Sequence, residues 1–165
     1  MGKNKERYNR SYPISLEHLH RDSKALSWRL HDIEKPWKGI VAVTRGGLVP
    51  AAVIARELGI HYIDTVCITS YDWKNQGEAT ILKNIDDSGE GFLIIDDLVD
   101  TGTTARLVRK MLPKAYFATV YAKPAGKPLV DAYVTEVSQD TWILFPWDSE
   151  SQFVEPIAGF PPETT

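Results

Sequence analysis

Phe92-Leu93-Ile94-Ile95-Asp96-Asp97-Leu98-Val99-Asp100-Thr101-Gly102-Thr103-Thr104 is the stretch on which the reading of this chain turns. A short run of bulky apolar residues ends in two adjacent carboxylates, and Asp100 follows before a small, hydroxyl-rich loop. Such a run predicts a strand buried on both faces, as in a parallel sheet. Ligands of these sheets bind at the carboxyl ends of strands, so the three acids stand where chemistry is expected. Thr101 to Thr104 then lead into the helical pattern Ala105 to Leu112. A small-residue turn at a helix start aims N–H groups and the positive dipole end at an anion, which suits a phosphate. Carboxylates do not bind phosphate; they accept hydrogen bonds from sugar hydroxyls or hold Mg²⁺. Acids and a phosphate cradle in one loop therefore point to a sugar phosphate with a metal.

Working outward, Leu16, Leu19, Leu26 and Leu30 fall mostly on one helical face and predict a helix from about Ser15 to Leu30. Trp37 to Thr44 predicts the first core strand, and Arg45-Gly46-Gly47-Leu48 a turn. Pro50 suits the first turn of a helix running to Leu58, with Gly59 as its stop. Tyr62 to Tyr71 predicts a second strand, and the polar segment from Asp72 to Asn84 a mobile excursion. Further strands are predicted at Gly91 to Ile95, Ala115 to Ala122 and Asp131 to Val137, with a helix from Ala105 to Met111 that Pro113 ends. This alternation argues for an α/β fold on a parallel sheet.

A chain of 165 residues suits one domain with a real core. Apolar content of 43% and charged content of 25% are ordinary for a globular protein, and a net charge of −3 gives no electrostatic case for nucleic acid. The lone Cys67 excludes an internal disulfide framework and fits a reducing compartment; within Val66-Cys67-Ile68 it is expected to be a buried structural thiol. Met1 to Ser15 lacks the apolar core of a secretory leader, and no apolar run approaches the ~20 residues of a membrane span. Glu6 stands where myristoylation needs Ser or Thr. Lys3, Lys5, Arg7 and Arg10 predict a solvated basic tail, with weak peripheral attraction to a membrane surface as the alternative. His18, His20, His31 and His61 show no metal-ligand spacing, and neither a P-loop nor a Gly-x-Ser-x-Gly elbow is present.

Three other positions matter. Thr44-Arg45-Gly46-Gly47 follows a strand; its glycines let backbone approach a ligand, and Arg45 offers a fork for phosphate oxygens. Lys123-Pro124 follows the fourth predicted strand, where a lysine reads alone as a solvated terminus. Trp142, beyond the last core strand, reads alone as core filler.

Together these motifs resemble the type I phosphoribosyltransferases, whose signature is apolar residues, two acids, two apolar residues, an acid and Thr-Gly-x-Thr. The resemblance implies a mainly parallel twisted sheet flanked by helices, with a small hood from the C-terminal region. It also implies that the Thr44 to Gly47 loop binds pyrophosphate through Arg45 and Gly46, with a cis peptide after Thr44. Thr101, Gly102, Thr103 and Thr104 would cradle the 5′-phosphate. Asp96 and Asp97 would hold the ribose diol or the water shell of Mg²⁺, with Asp97 the metal ligand. Asp100 would act as general base near N7 of a purine. In the 6-oxopurine members, the lysine matching Lys123 donates to the exocyclic oxygen, an aromatic matching Trp142 stacks on the base, and the backbone carbonyl matching Ile143 meets its edge.

Trp37-Lys38-Gly39-Ile40, Arg45 to Pro50, Ala55 to Ile60, Asp64 to Ile68, Ala122 to Gly126 and Asp140 to Ile143 narrow the similarity to the bacterial xanthine-guanine phosphoribosyltransferases. This implies an enzyme that joins the 5-phosphoribosyl group of phosphoribosyl pyrophosphate to guanine or xanthine, and to hypoxanthine more weakly. It implies a cytoplasmic homo-oligomer, a tetramer in the family. The expected layout is a flexible tail over residues 1–14, one domain over 15–154 with a hood at about 138–154, and a C-terminal tail over 155–165. Two departures stand out. Gly77 follows Asn75-Gln76 where the enterobacterial form has an arginine, leaving Lys74 or Lys83 as substitutes; and Thr103 replaces a glycine. Two readings compete with the enzyme. A nucleic-acid-binding regulator on the same fold is opposed by the acidic net charge. A phosphoacceptor receiver domain fails on order, because only one helix and one strand separate Asp97 from Lys123.

Overall fold

The computed structural model describes residues 8–70, 79–148 and 157–159. In chain order the elements are β1 (Arg10–Pro13), α1 (Leu16–His31), β2 (Gly39–Thr44), α2 (Leu48–Leu58), β3 (Ile63–Ser70), β4 (Ala79–Lys83), β5 (Phe92–Val99), α3 (Thr103–Met111), β6 (Tyr116–Ala122), a 3-10 turn (Lys127–Leu129), β7 (Ala132–Glu136) and β8 (Thr141–Leu144). They form two units. One spans residues 17–139; the other joins the described residues up to 16 with those from 140 onward.

The larger unit is an α/β structure on a six-stranded sheet of order β4-β3-β2-β5-β6-β7. Every neighbouring pair is parallel except β3 with β4. The strands from Ile40 to Val43, Leu93 to Ile95 and Phe117 to Ala122 are buried, which is why they read as continuous apolar runs. β2 continues through α2 to β3 on one side, while β5 continues through α3 to β6 on the other. The strand order therefore reverses between β2 and β5, and the crevice at such a reversal is where open α/β sheets bind ligands.

The helices follow the sequence closely. Leu19, Leu26 and Leu30 of α1 are buried, but Leu16, at its first residue, is 63% exposed. Between them α1 buries polar residues. Ser23 and Ser27 donate to the carbonyls of Leu19 (2.7 Å) and Ser23 (3.0 Å), satisfying their hydroxyls within the helix. Asp22 accepts from Tyr121 Oη on β6 at 2.6 Å. α2 buries Pro50, Ala51, Ile54 and Ala55 and ends at Gly59 in the left-handed conformation, with φ of 67°.

Several expectations need correction. β5 does not stop at Ile95 but runs through both acids to Val99, because β6 is long enough to pair it: Leu98 lies beside Tyr121 and Val99 beside Ala122. The expected excursion over residues 72–84 ends in a strand. β4 pairs antiparallel with β3, and its almost wholly exposed residues gave no burial pattern to read. The part of that excursion containing Lys74, Asn75, Gln76 and Gly77 lies outside the described residues. Cys67, on β3 next to this edge, is half-buried rather than buried.

In the smaller unit β1 pairs parallel with β8, from Arg10 beside Thr141 to Pro13 beside Leu144. Arg10–Pro13 is therefore a strand where a tail was expected. Pro13 is tolerated because the strand is an edge and its missing N–H is not needed. The basic residues Lys3, Lys5 and Arg7, and most of the C-terminal tail, lie outside the described residues. Among the described residues no helix is long and apolar enough to cross a membrane.

Candidate active site

The turn after β2 is shaped by backbone. The Thr44–Arg45 peptide is cis, the conformation the resemblance implies. Gly47 N–H donates to the Val43 carbonyl at 2.8 Å and Leu48 N–H to the Arg45 carbonyl at 3.1 Å, closing the turn directly into α2. Arg45 is exposed. The glycines let this turn lie against the acids of β5. A Cβ on Gly46 would sit 2.3 Å from Asp97 Oδ2, and one on Gly47 would sit 2.3 Å from the Ile95 carbonyl oxygen. No larger residue fits at either position without movement.

The two acids differ. Asp96 is 9% exposed, and its Oδ1 accepts from Asp97 N–H at 2.9 Å. Burial, followed by the neighbouring Asp97 carboxylate, pushes Asp96 well above the usual carboxylate range. Asp97 is half-buried, against Gly46. Among the described residues no cluster of three or more acid, histidine or cysteine side chains gathers to cage a metal. A pair of carboxylates nonetheless fits Mg²⁺, which keeps several waters and takes its other ligands from substrate phosphates. The more exposed Asp97 is the better donor, since Asp96 is buried within the strand.

After β5 the chain turns through Thr101 and Gly102 into α3. Gly102 has φ of 84° and is the residue before the helix. No side chain caps α3, and no acidic residue stands in its first turn. Thr103 is already helical, so the glycine that it replaces was not required there for a positive φ; its Oγ1 lies 3.2 Å from Thr101 Oγ1. Thr104 follows within the same first turn.

Lys123 closes the site from β6. Its backbone N–H donates to the Val99 carbonyl at 2.9 Å, which ties the end of β6 to the end of β5. Far from being a solvated terminus, its side chain is 1% exposed, and its Nζ lies 3.2 Å from Asp100 Oδ2. A buried ammonium needs such a partner. The other Asp100 oxygen, Oδ1, accepts from Gln139 Nε2 at 2.7 Å, and Gln139 Oε1 accepts from Ala125 N–H at 2.9 Å. Gln139 carries no motif, and its only signal was its place immediately before Asp140-Thr141-Trp142-Ile143.

Lys83 does not reach this end of the sheet. Its Nζ pairs with Asp64 Oδ1 at 2.6 Å, and Asp64 stands beside Val41, toward the amino end of β2. The pairing holds Asp64 below the usual carboxylate range. Trp142 and Ile143 belong to the smaller unit, on β8. Ile143 is buried. Trp142 packs edge-on against Tyr8 at 5.1 Å, and its Nε1 is buried with no hydrogen-bond partner among the described residues. The other predicted site residues all belong to the larger unit.

A family model described as the phosphoribosyl transferase domain matches residues 15–153. A curated relative from Desulfotalea psychrophila, named xanthine-guanine phosphoribosyltransferase, is 68% identical over 93% of this chain and 96% of its own. One of the same name from Nitratidesulfovibrio vulgaris (strain DP4) is 65% identical over 96% of this chain and 98% of its own. The crystal structure of a purine phosphoribosyltransferase from Pyrococcus horikoshii has the same fold, with a TM-score of 0.74 and 24% identity over 88% of this chain and 98% of that one. By its sequence and its fold, this chain belongs to the xanthine-guanine phosphoribosyltransferase family.

Proposed function

We propose that this chain is a purine salvage enzyme. It transfers the 5-phosphoribosyl group of phosphoribosyl pyrophosphate to N9 of guanine or xanthine, and of hypoxanthine more weakly, releasing pyrophosphate. The bond from C1′ to the pyrophosphate oxygen breaks, the bond from C1′ to N9 forms, and the base gives up one proton.

The observation that carries this reading is the buried Lys123 ammonium paired with Asp100 beside the acid pair and the phosphate turn. An ammonium donates to the exocyclic oxygen of an oxopurine and has nothing to offer the amino group of adenine. Leaving it unpaired in a buried site disfavours adenine by orders of magnitude. Asp100, next to it, accepts the proton that the base releases as its negative charge neutralises. The exposed Arg45 and the backbone around Gly46 bind the pyrophosphate. The first turn of α3, uncapped by side chains and free of acids, binds the 5′-phosphate through its N–H groups and dipole. Asp96 and Asp97 face the ribose hydroxyls, and Asp97 would hold Mg²⁺. Bound there, the cation would neutralise charge on the departing pyrophosphate. The developing positive charge on the ribose is stabilised by the nearby carboxylates. On this reading Trp142 stacks on the purine and the Ile143 carbonyl receives its edge. Residues 15–154 act as one catalytic domain. A homotetramer is the expected assembly, and the lone Cys67 supports a cytoplasmic location.

Steady-state assays with phosphoribosyl pyrophosphate and Mg²⁺ test the proposal, offering guanine, xanthine, hypoxanthine and adenine in parallel. Nucleotide is expected from the three oxopurines and not from adenine. No turnover with any of the four would overturn it.

A further inference from the structure

We infer that Gln139 is a positioning residue for Asp100: it fixes the plane of the Asp100 carboxylate and keeps the Lys123 ammonium from monopolising it. This rests on the enzymatic reading above. Lys123 is 1% exposed, so its charge is poorly solvated and attracts a carboxylate strongly. With the ammonium as the sole restraint, the carboxylate could turn about its Cβ–Cγ bond and offer both oxygens to Lys123, away from the base. Gln139 opposes that turn. Its amide orientation is fixed at one end by Ala125 N–H, which can only donate, so the end facing Asp100 must be the NH₂ group. That group holds Oδ1 at 2.7 Å while Lys123 holds Oδ2 at 3.2 Å. The same glutamine ties the loop after Lys123 to the segment leading into β8, linking the lysine that reads the base to the acid that takes its proton.

Two near-isosteric variants separate positioning from a merely structural pin. Gln139→Glu keeps a carboxylate oxygen for Ala125 N–H but turns a second carboxylate toward Asp100. Gln139→Leu loses both bonds. Positioning predicts a kcat loss on the order of a hundredfold for Gln139→Glu, because like charges then face each other. It predicts about tenfold for Gln139→Leu. KM for phosphoribosyl pyrophosphate should stay within roughly twofold in both, since the contacts to that substrate lie elsewhere. A structural pin predicts the reverse order, with Gln139→Glu at the parent rate and only Gln139→Leu impaired; that result overturns the inference. If Gln139→Glu does not fold, Gln139→Leu on an Asp100→Asn background decides. No further loss of turnover there shows that Gln139 acts through Asp100, and an equal loss on both backgrounds refutes it. If the unsubstituted chain turns over no oxopurine, the enzymatic reading itself fails and this inference falls with it, a result distinct from either order of the variants.

Discussion

The turn after β2 and the network around Asp100 meet at the carboxyl end of one sheet, yet they are built in opposite ways. The turn is made of backbone: a cis peptide, two glycines, and N–H groups that close directly into α2. Its shape depends on what is missing, because the space that a Cβ on Gly46 would fill is already held by Asp97. The network is made of side chains: Lys123, Asp100 and Gln139 arrive from three segments and hold one another by hydrogen bonds and charge. A backbone site rejects bulk, whereas a side-chain site rejects the loss of a partner. On the proposed reading, the first design meets a pyrophosphate of fixed geometry, and the second moves a proton and reads one oxygen atom.

The widest gap between the two should appear on removing the base itself. Asp100→Asn is expected to lower kcat by ~10²–10⁴-fold while its amide oxygen still accepts from the buried Lys123, measured as nucleotide formed from guanine. A drop under tenfold would move the proton acceptor elsewhere. In the turn, Gly46→Ala displaces the tip of a side chain, the Asp97 carboxylate, from 2.3 Å. The fold should survive, while kcat/KM for phosphoribosyl pyrophosphate falls about a hundredfold, as expected of a displacement near 1 Å. Unchanged kinetics would remove Asp97 from the donor site.

Gly47→Ala strikes backbone instead. Its Cβ would lie 2.3 Å from the Ile95 carbonyl oxygen and 2.8 Å from that of Val43, neither of which can rotate away. A stability loss of ~1–3 kcal/mol is expected in urea denaturation. Stability equal to the parent would show that β2 and β5 can slide apart. The smallest effect concerns Asp96, whose proton affinity the fold raises above the ordinary carboxylate value of 3.8. The folded chain then keeps this proton longer than the unfolded chain does. Stability is therefore lost as pH rises from the unfolded value through the folded one. Asp96→Asn removes that loss. In chelated buffer its Tm relative to the parent should climb as pH rises above the ordinary carboxylate value of 3.8. A flat difference would mean that Asp96 is ionised in the fold throughout.

The same contrast explains what could be read from the residues. Backbone-built features leave compact local marks, because consecutive residues share the task; Arg45-Gly46-Gly47 and Thr101 to Thr104 each stand in one run. Buried central strands leave continuous apolar runs, so β2, β5 and β6 were legible. β1, β4 and β8 were not: they are short, and two of them are largely exposed, so hydrophobic pattern carries little of their pairing. Gln139 was invisible because a lone amide becomes functional only when folding brings Asp100 and Ala125 to its two ends. Lys83 was misjudged for the same reason: a lysine near a polar segment looks available until Asp64 is seen beside it.

By itself, then, the order of residues determined the α/β class, the carboxyl-end placement of the acids, the turn from Thr101 into α3 and the family, since all of these rest on neighbours within a few positions. Only the tertiary structure decided that the strand order reverses between β2 and β5, that β5 runs on past its acids, that Asp96 is buried while Asp97 stays half-buried, and that Lys123 is buried against Asp100. Each of these depends on residues far apart in the chain, and their burial and electrostatics exist only once the sheet has brought them together.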